Sequence, residues 1–397
     1  MLGDQEGLDF YQSSNQFQIN NLGDEVSFSE LRNGNPDLTW ETSKMFQTGL
    51  EMSFGRVVDV NVDYYRKNTD NLFFNRRVGS SQGISSVTVN DGELLNSGLE
   101  FSITSHIIES EDGFLDFSLN GEHVNNEFKV MPIEPSTGEP RIVDTSQIRF
   151  GWAQGSGIFD FFMREWAGVD PQTGVGQWYQ YYDDVNGNGM LDTGEEFSLN
   201  IPQYLDANPN AKLQKQKTTN FSDAQENFVG KSAIPTLRGA FRLAGGFKNF
   251  TLTTQFTYQF GGYSFDAQYS ELMNDRFGAG ASNFHRDIAK RWQNPGDITD
   301  VPRISDNFDT QVGGESTRWL ISSDFVALNN AQLGYSFPSK FLKNTGIENL
   351  NLWISGDNLF VLTKRKGFNP QTSETGNTGR RLYSVPSTIT MGVRVKF

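Results

Sequence analysis

Ile389-Thr390-Met391-Gly392-Val393-Arg394-Val395-Lys396-Phe397 is the stretch that decides the fold. Ile389, Met391, Val393, Val395 and Phe397 fall on one face of an extended strand, and Thr390, Gly392, Arg394 and Lys396 on the other. Period-2 alternation marks a strand with one apolar and one wet face. Lipid outside, water inside and an aromatic girdle at each membrane edge demand this pattern of a transmembrane barrel strand.

The same alternation recurs upstream, in pairs. Phe46, Thr48, Leu50, Met52 and Phe54 lead through Gly55 to Val58, Val60, Val62 and Tyr64, with Glu51, Asp59 and Asp63 on the opposite face. Leu99, Phe101 and Ile103 answer Leu115, Phe117 and Leu119 across a turn at Asp112-Gly113, with Glu100 and Asp116 on the wet side. A weaker pair flanks Gln154-Gly155-Ser156-Gly157. Leu237 to Leu243 and Phe250 to Phe260 flank Gly245-Gly246; Leu328 to Phe337 and Leu350 to Ile354 complete the set.

Several of these runs approach the roughly 9–11 residues that a tilted strand needs to cross a bilayer. Short turns lie on one side. Long polar connections over 75–95, 125–145, 167–232, 263–318 and 361–383 lie on the other, the layout of outer-membrane barrels. The expectation is an all-β chain of about 11 antiparallel transmembrane strands. An open array leaves two raw edges, so it reads as the carboxy-terminal half of a roughly 22-strand barrel. Residues 1–40 read as a loop-like segment, and 41–397 as barrel.

Composition fits. The 397 residues include 33 Phe, 12 Tyr, 7 Trp and 40 Gly, and no Cys, which excludes disulfides and thiolate chemistry. The formal net charge of −15 opposes phosphate neutralisation, so no nucleic-acid partner is expected. Mean hydropathy is −0.51 and no run of about 18 apolar residues exists, which excludes a membrane-spanning helix but not a barrel. Met1 to Glu6 has neither a basic nor an apolar signal-peptide region. If the protein lives in the envelope, an upstream segment is expected.

A set of motifs carries a resemblance. They are Asn35-Pro36-Asp37-Leu38-Thr39-Trp40-Glu41 with Thr48-Gly49-Leu50-Glu51; Asp63-Tyr64-Tyr65-Arg66-Lys67-Asn68-Thr69-Asp70-Asn71-Leu72; and Asn96-Ser97-Gly98-Leu99-Glu100. Further along come Ala167-Gly168-Val169-Asp170-Pro171-Gln172-Thr173-Gly174; Arg291-Trp292-Gln293-Asn294-Pro295-Gly296-Asp297 with Pro302-Arg303; and Gly356-Asp357-Asn358-Leu359-Phe360 with Gly367-Phe368-Asn369-Pro370. In this order the chain resembles the carboxy-terminal half of the SusC/RagA family of TonB-dependent outer-membrane transporters. It departs at Asp357, where the family usually has Gln, and at Gln371, where it has Glu.

The resemblance implies residence in the outer membrane among membrane lipid, a plug domain that is absent here, and a TonB complex acting through that missing amino-terminal part. It also implies a SusD-like lipoprotein lid and a large cargo, oligosaccharide or peptide. Val393, Val395 and Phe397 would form the barrel assembly signal.

Within the connection 167–232, residues 184–195 match a 12-residue calcium loop. Asp184, Asn186, Asn188, the Met190 carbonyl, Asp192 and Glu195 would supply the hard oxygen ligands that Ca2+ prefers, as a structural staple without flanking helices. The plain alternative is a solvated Asn/Gly/Asp turn. Aromatic rings stack on sugar faces, so Trp166, Trp178, Tyr179 and Trp292 are the substrate-binding candidates, with loop packing as the competing role. His106, His123 and His285 lie far apart, and no nucleophile, zincin or phosphate-loop spacing appears. Neither a catalytic residue nor enzymatic activity is expected. The alternative reading is a soluble or surface-attached all-β calcium-binding adhesin or glycan-binding protein.

Overall fold

A computed structural model describes residues 13–22, 25–79, 86–135, 137–145, 149–274, 283–305, 312–343, 345–372 and 385–397. In chain order, β1 (Gln16–Leu22) and β2 (Glu25–Arg32) precede β3 (Thr42–Phe54), β4 (Val58–Arg77), β5 (Ser86–Ser110) and β6 (Gly113–Val130). A first insertion carries β7 (Val143–Thr145), β8 (Phe150–Trp152), β9 (Asp160–Arg164), β10 (Trp166–Val169), β11 (Gly176–Asp183), α1 (Ile201–Ala207), β12 (Leu213–Thr218) and β13 (Glu226–Ser232). Then come β14 (Leu237–Phe247) and β15 (Phe250–Phe260). A second insertion holds β16 (Tyr263–Phe265), α2 (Ala267–Leu272) and β17 (Leu320–Ser322). β18 (Phe325–Ser336), α3 (Ser339–Leu342), β19 (Asn349–Thr363) and β20 (Thr388–Lys396) complete the chain.

Nine strands form one antiparallel sheet in the order β20-β19-β18-β15-β14-β6-β5-β4-β3. Remove the two insertions and this is an uninterrupted up-and-down meander. The free edges of β3 and β20 meet no further strand among the described residues.

The register converts alternation into two faces. Met52, Val60, Ile103, Leu119, Phe241, Phe256, Leu328 and Phe360 stand in one cross-strand row. Leu115, Gly245, Leu252, Leu333, Ile354 and Met391 form a parallel row nearer the short turns. Much of this face is bare: Leu252, Leu333, Phe360 and Val393 are exposed, and Met391 is 77% exposed. A soluble sandwich would bury these rows against a second sheet. Instead they form a lipid-facing band. Tyr64, Tyr258 and Phe260 lie toward its upper margin; Phe247, Phe250 and Tyr335 lie toward the lower. From Phe250 to Phe260 the band spans about 25 Å at ordinary strand rise and tilt.

Three expectations are corrected. The segment 1–40 is not all loop: β1 and β2 pair antiparallel, with Ile19 opposite Phe28, because Phe17 and Ile19 alternate with polar residues as the barrel strands do. The weak pair around 154–157 is not barrel wall. Gly155 N–H donates to Phe128 O (2.8 Å) and Phe128 N–H to Ser156 O (2.9 Å), so this turn is pinned to the top of β6, while β8 and β9 belong to the separate sheet β13-β9-β8-β7. Against about 11 expected wall strands, nine stand in the one sheet among the described residues, and β1 and β2 form a separate ribbon. Most of 75–95 is strand rather than loop. β4 has 20 residues and β5 has 25, about twice what a bilayer needs, so their ends project beyond it. Residues 373–383 of the last connection lie outside the described residues.

Candidate functional site

The inner face is wet. Ser53, Asp59, Thr104, Ser118, Arg242, Gln255, Asn330 and Asp357 stand in one inward row. Asp63, Glu100, Glu122, Arg238 and Gln259 stand two inward rows further up, beyond the row of Asn61, Ser102, Asn120 and Thr257. The Arg238 guanidinium pairs with Glu122. Asp59, Asp63, Glu100 and Asp116 therefore share the lumen face; the His106 ring donates through Nδ1 to the Asp116 carboxylate at 2.8 Å. A concavity of ≈ 710 Å³ lies over this wall.

Both insertions leave the sheet at the rim opposite the short turns, the extracellular rim of such barrels. They build one body. Phe150, Phe161, Met163 and Ala233 from the first insertion share a buried core with Phe265, Met273, Val301 and Trp319 from the second. Arg149 lies over the Phe265 ring at 4.0 Å and pairs with Glu315 at 2.7 Å. The Arg365 guanidinium, just beyond β19, pairs with the buried Asp266 carboxylate and lies 4.5 Å over Tyr269, tying the body to the wall. Asp266 also caps α2 by accepting the Tyr269 N–H at 3.0 Å.

Two of the sequence motifs meet here. Trp292 donates its indole N–H to Pro171 O at 2.9 Å, Gly296 N–H donates to the same carbonyl at 2.7 Å, and Arg303 N–H donates to Gly174 O at 2.9 Å. Asp170 accepts from Gln172 N–H and Thr173 hydroxyl, both at 2.8 Å, and these bonds hold its carboxyl below the usual range. Asp297, accepting from the backbone of Asn294 and Gln293, is lowered for the same reason.

The aromatic candidates are largely occupied. Trp178 is 1% exposed, packed between Trp166 and Phe221, so it has no face for cargo and its assignment as a substrate residue is withdrawn. Trp166 carries the Arg318 guanidinium at 4.8 Å. Trp292 covers Gly174. Tyr179 is half-buried, with the Lys215 ammonium 4.1 Å from its ring. Sequence reasoning passed over a polar cleft of ≈ 760 Å³, lined by Arg164, Gln180, Phe197, Gln203, Asp223 and Glu226 among others. Its residues lie on six separate elements and connections, which leaves no local motif to find.

The 184–195 loop leaves β11 and is closed at its base by a bridge between Tyr182 and Glu196. Asp184 and Glu195 are 5% and 7% exposed. Asp184 accepts from the N–H groups of Asn188 and Gly189, each at 3.0 Å; Glu195 accepts from Val185 and Asp192 at 3.1 and 2.9 Å. Gly187, Gly189 and Gly194 take left-handed φ of 76°, 73° and 95°, which lets the chain curl round the carboxylates. Asn186 and Asn188 each donate a side-chain N–H to Asp192 at 2.7 Å. Among the described residues no group of three or more His, Cys, Asp or Glu side chains forms a ready metal cage. An ion here would need the Asn186 and Asn188 amide oxygens and the Met190 carbonyl as well, which suits calcium chemistry.

Residues 7–208 match the family model described as "TonB dependent receptor-like, beta-barrel". The chain belongs to this family. It is 28% identical over 384 residues to TonB-dependent receptor P3 of Formosa agariphila, covering 91% of this chain and 35% of that protein. It is 22% identical over 382 residues to TonB-dependent receptor SusC of Bacteroides thetaiotaomicron, covering 92% of this chain and 33% of that one. A solved structure of the RagAB peptide transporter superposes with TM-score 0.74 at 25% identity, covering 100% of this chain and 40% of its own. The chain thus spans about a third to two-fifths of the length of the relatives it matches.

As a TonB-dependent receptor barrel it resides in the outer membrane, with the apolar rows against lipid. The soluble adhesin alternative falls with this result. Its greasy rows would have to be buried, and they are bare.

Proposed function

We propose that this TonB-dependent receptor chain forms wall and extracellular cap of an importer for a large nutrient, oligosaccharide or peptide, working with a SusD-like lipoprotein lid. Energy would come through the TonB complex acting on a plug domain. The chain itself performs no bond chemistry. The observation that carries the reading is the polar lumen wall joined at its extracellular rim to one body built from two insertions. A closed, lidded importer needs a wet passage and a rigid rim for the lid to seat on.

Uptake by cells carrying the intact transporter tests this. Labelled oligosaccharide and peptide pools should enter only when TonB and the neighbouring lipoprotein are both present. Entry unaffected by loss of either would sink the proposal.

We also propose that residues 184–195 bind Ca2+ as a staple of the cap. What supports this is the pair of buried carboxylates, Asp184 and Glu195, which make no ion pair among the described residues and sit in a loop that also offers the Asn186 and Asn188 amide oxygens. Tyr179 and the polar cleft beside Gln180 remain the cargo contacts we favour, since they retain surface that Trp178 lacks.

A further inference from the structure

We propose that the membrane face of this barrel holds one zwitterionic ethanolamine phospholipid of the periplasmic leaflet in a built groove between β6, β14 and β15. The hollow measures ≈ 480 Å³. It sits in the lipid-facing band beside the short turns, so the surrounding bilayer supplies its occupant. Its cause is local. Gly245 stands in the outward row between Leu115 and Leu252, where the sequence provides no side chain. Leu243, Phe247, Phe250 and Leu333 wall the gap. A Cβ on Gly245 would meet Leu115 Cδ1 at 3.3 Å and Phe114 O at 3.4 Å, so bulk there fills the hollow. A groove one residue wide along a strand suits an acyl chain by shape: lipid tails are as apolar as the leucines that wall it, so close packing, not escape from water, would hold the chain there.

The headgroup follows from the adjoining turns. Lys248 sits at the β14-β15 turn with its ammonium 5.2 Å from the centroid of Phe247, a wall of the groove. It makes no ion pair among the described residues. Its N–H donates to Asp112 O at 2.7 Å, which fixes this turn against the β5-β6 turn carrying Glu111 and Asp112. One ammonium beside two carboxylates meets a phosphate and an amine together. A net-anionic glycerol headgroup would satisfy the lysine and be repelled by the acids.

The test uses the intact protein extracted from its own outer membrane, delipidated and titrated with phosphatidylethanolamine or phosphatidylglycerol under native mass spectrometry. One phosphatidylethanolamine should stay bound, in preference to phosphatidylglycerol. Gly245→Leu, which fills the hollow, should lower the share of protein that keeps phosphatidylethanolamine bound. Lys248→Glu should abolish the headgroup preference. Heat-modifiable gel migration must show both variants folded. Equal retention by Gly245→Leu and the wild type, or equal binding of the two lipids to the wild type, would overturn the proposal.

Discussion

Trp292 lies over Gly174 so closely that a Cβ at Gly174 would come within 2.4 Å of the indole ring. Gly174 also has φ +73°, a conformation that side chains resist. The two motifs they belong to are more than a hundred residues apart, and their meeting is what joins the two insertions at this point. Gly174→Ala is expected to destabilise the cap by about 1–3 kcal/mol, from backbone strain and the displaced ring. Limited proteolysis of the cap, with the barrel's heat-modifiable migration unchanged, would register it. A cap as resistant as the wild type would show that the glycine is dispensable.

Acid should loosen the same junction. Backbone N–H bonds, from Gln172 to Asp170 and from Asn294 and Gln293 to Asp297, hold both carboxyls below their ordinary range. A carboxylate with a depressed folded-state pKa contributes stability above its unfolded pKa, about 3.9, and loses it as pH falls through the lower folded value. Cap melting temperature should therefore drop below about pH 4. Asp170→Asn with Asp297→Asn should flatten that drop and lower the neutral-pH value. An acid dependence identical in variant and wild type would remove these two groups from the account.

Calcium should protect the 184–195 loop from protease. Glu195→Gln keeps an acceptor for the Val185 and Asp192 N–H groups while removing the bidentate charge. It is expected to cost at least roughly tenfold in calcium affinity, because ligand charge tunes such loops over decades. Isothermal calorimetry on the intact protein reads this directly. Absence of any calcium heat in the wild type leaves the loop a hydrogen-bonded turn.

How much of this was legible in sequence depended on where each strand's burial comes from. Phe46 to Tyr64 reads correctly because bilayer and water impose opposite demands on alternate residues, whatever the rest of the chain does. The cap obeys no such external field. Phe150 is buried by Phe161 and Phe265, and Trp178 by Trp166 and Phe221, through contacts that three- to eight-residue strands do not announce. Trp178 therefore looked like a loop aromatic awaiting sugar. β1 and β2 were missed because only a few residues alternate on each, Phe17 with Ile19 and Val26 with Phe28. The metal-like loop was legible because its liganding pattern is local.

The orientation of the wall predicts opposite results at adjacent positions. Phe256 stacks on Phe241 with centroids 4.5 Å apart in the middle of the outward band, while Gln255 faces the lumen opposite Arg242. Phe256→Arg should cost about 2–4 kcal/mol of barrel stability, the midplane value for a lipid-facing cation. Gln255→Lys should stay within about 0.5 kcal/mol, as for other solvated substitutions. Urea unfolding in vesicles separates them, and equal losses would mean the faces are misassigned.

Phe397 raises a different kind of question, because its ring packs on almost nothing. It is 82% exposed and follows the outward Val393 and Val395 of β20, which are also exposed to lipid. A ring in that position adds little to folded stability, so any strong requirement for it must act before the barrel is complete. We expect Phe397→Ala to leave the urea midpoint of barrel refolded in vesicles nearly unchanged. In cells the same variant should sharply reduce the heat-modifiable barrel recovered from the outer membrane, with Val393→Asp and Val395→Asp doing likewise. If cellular yield and refolded stability fall together, the residue works as ordinary packing. If neither falls, the three residues carry no assembly signal.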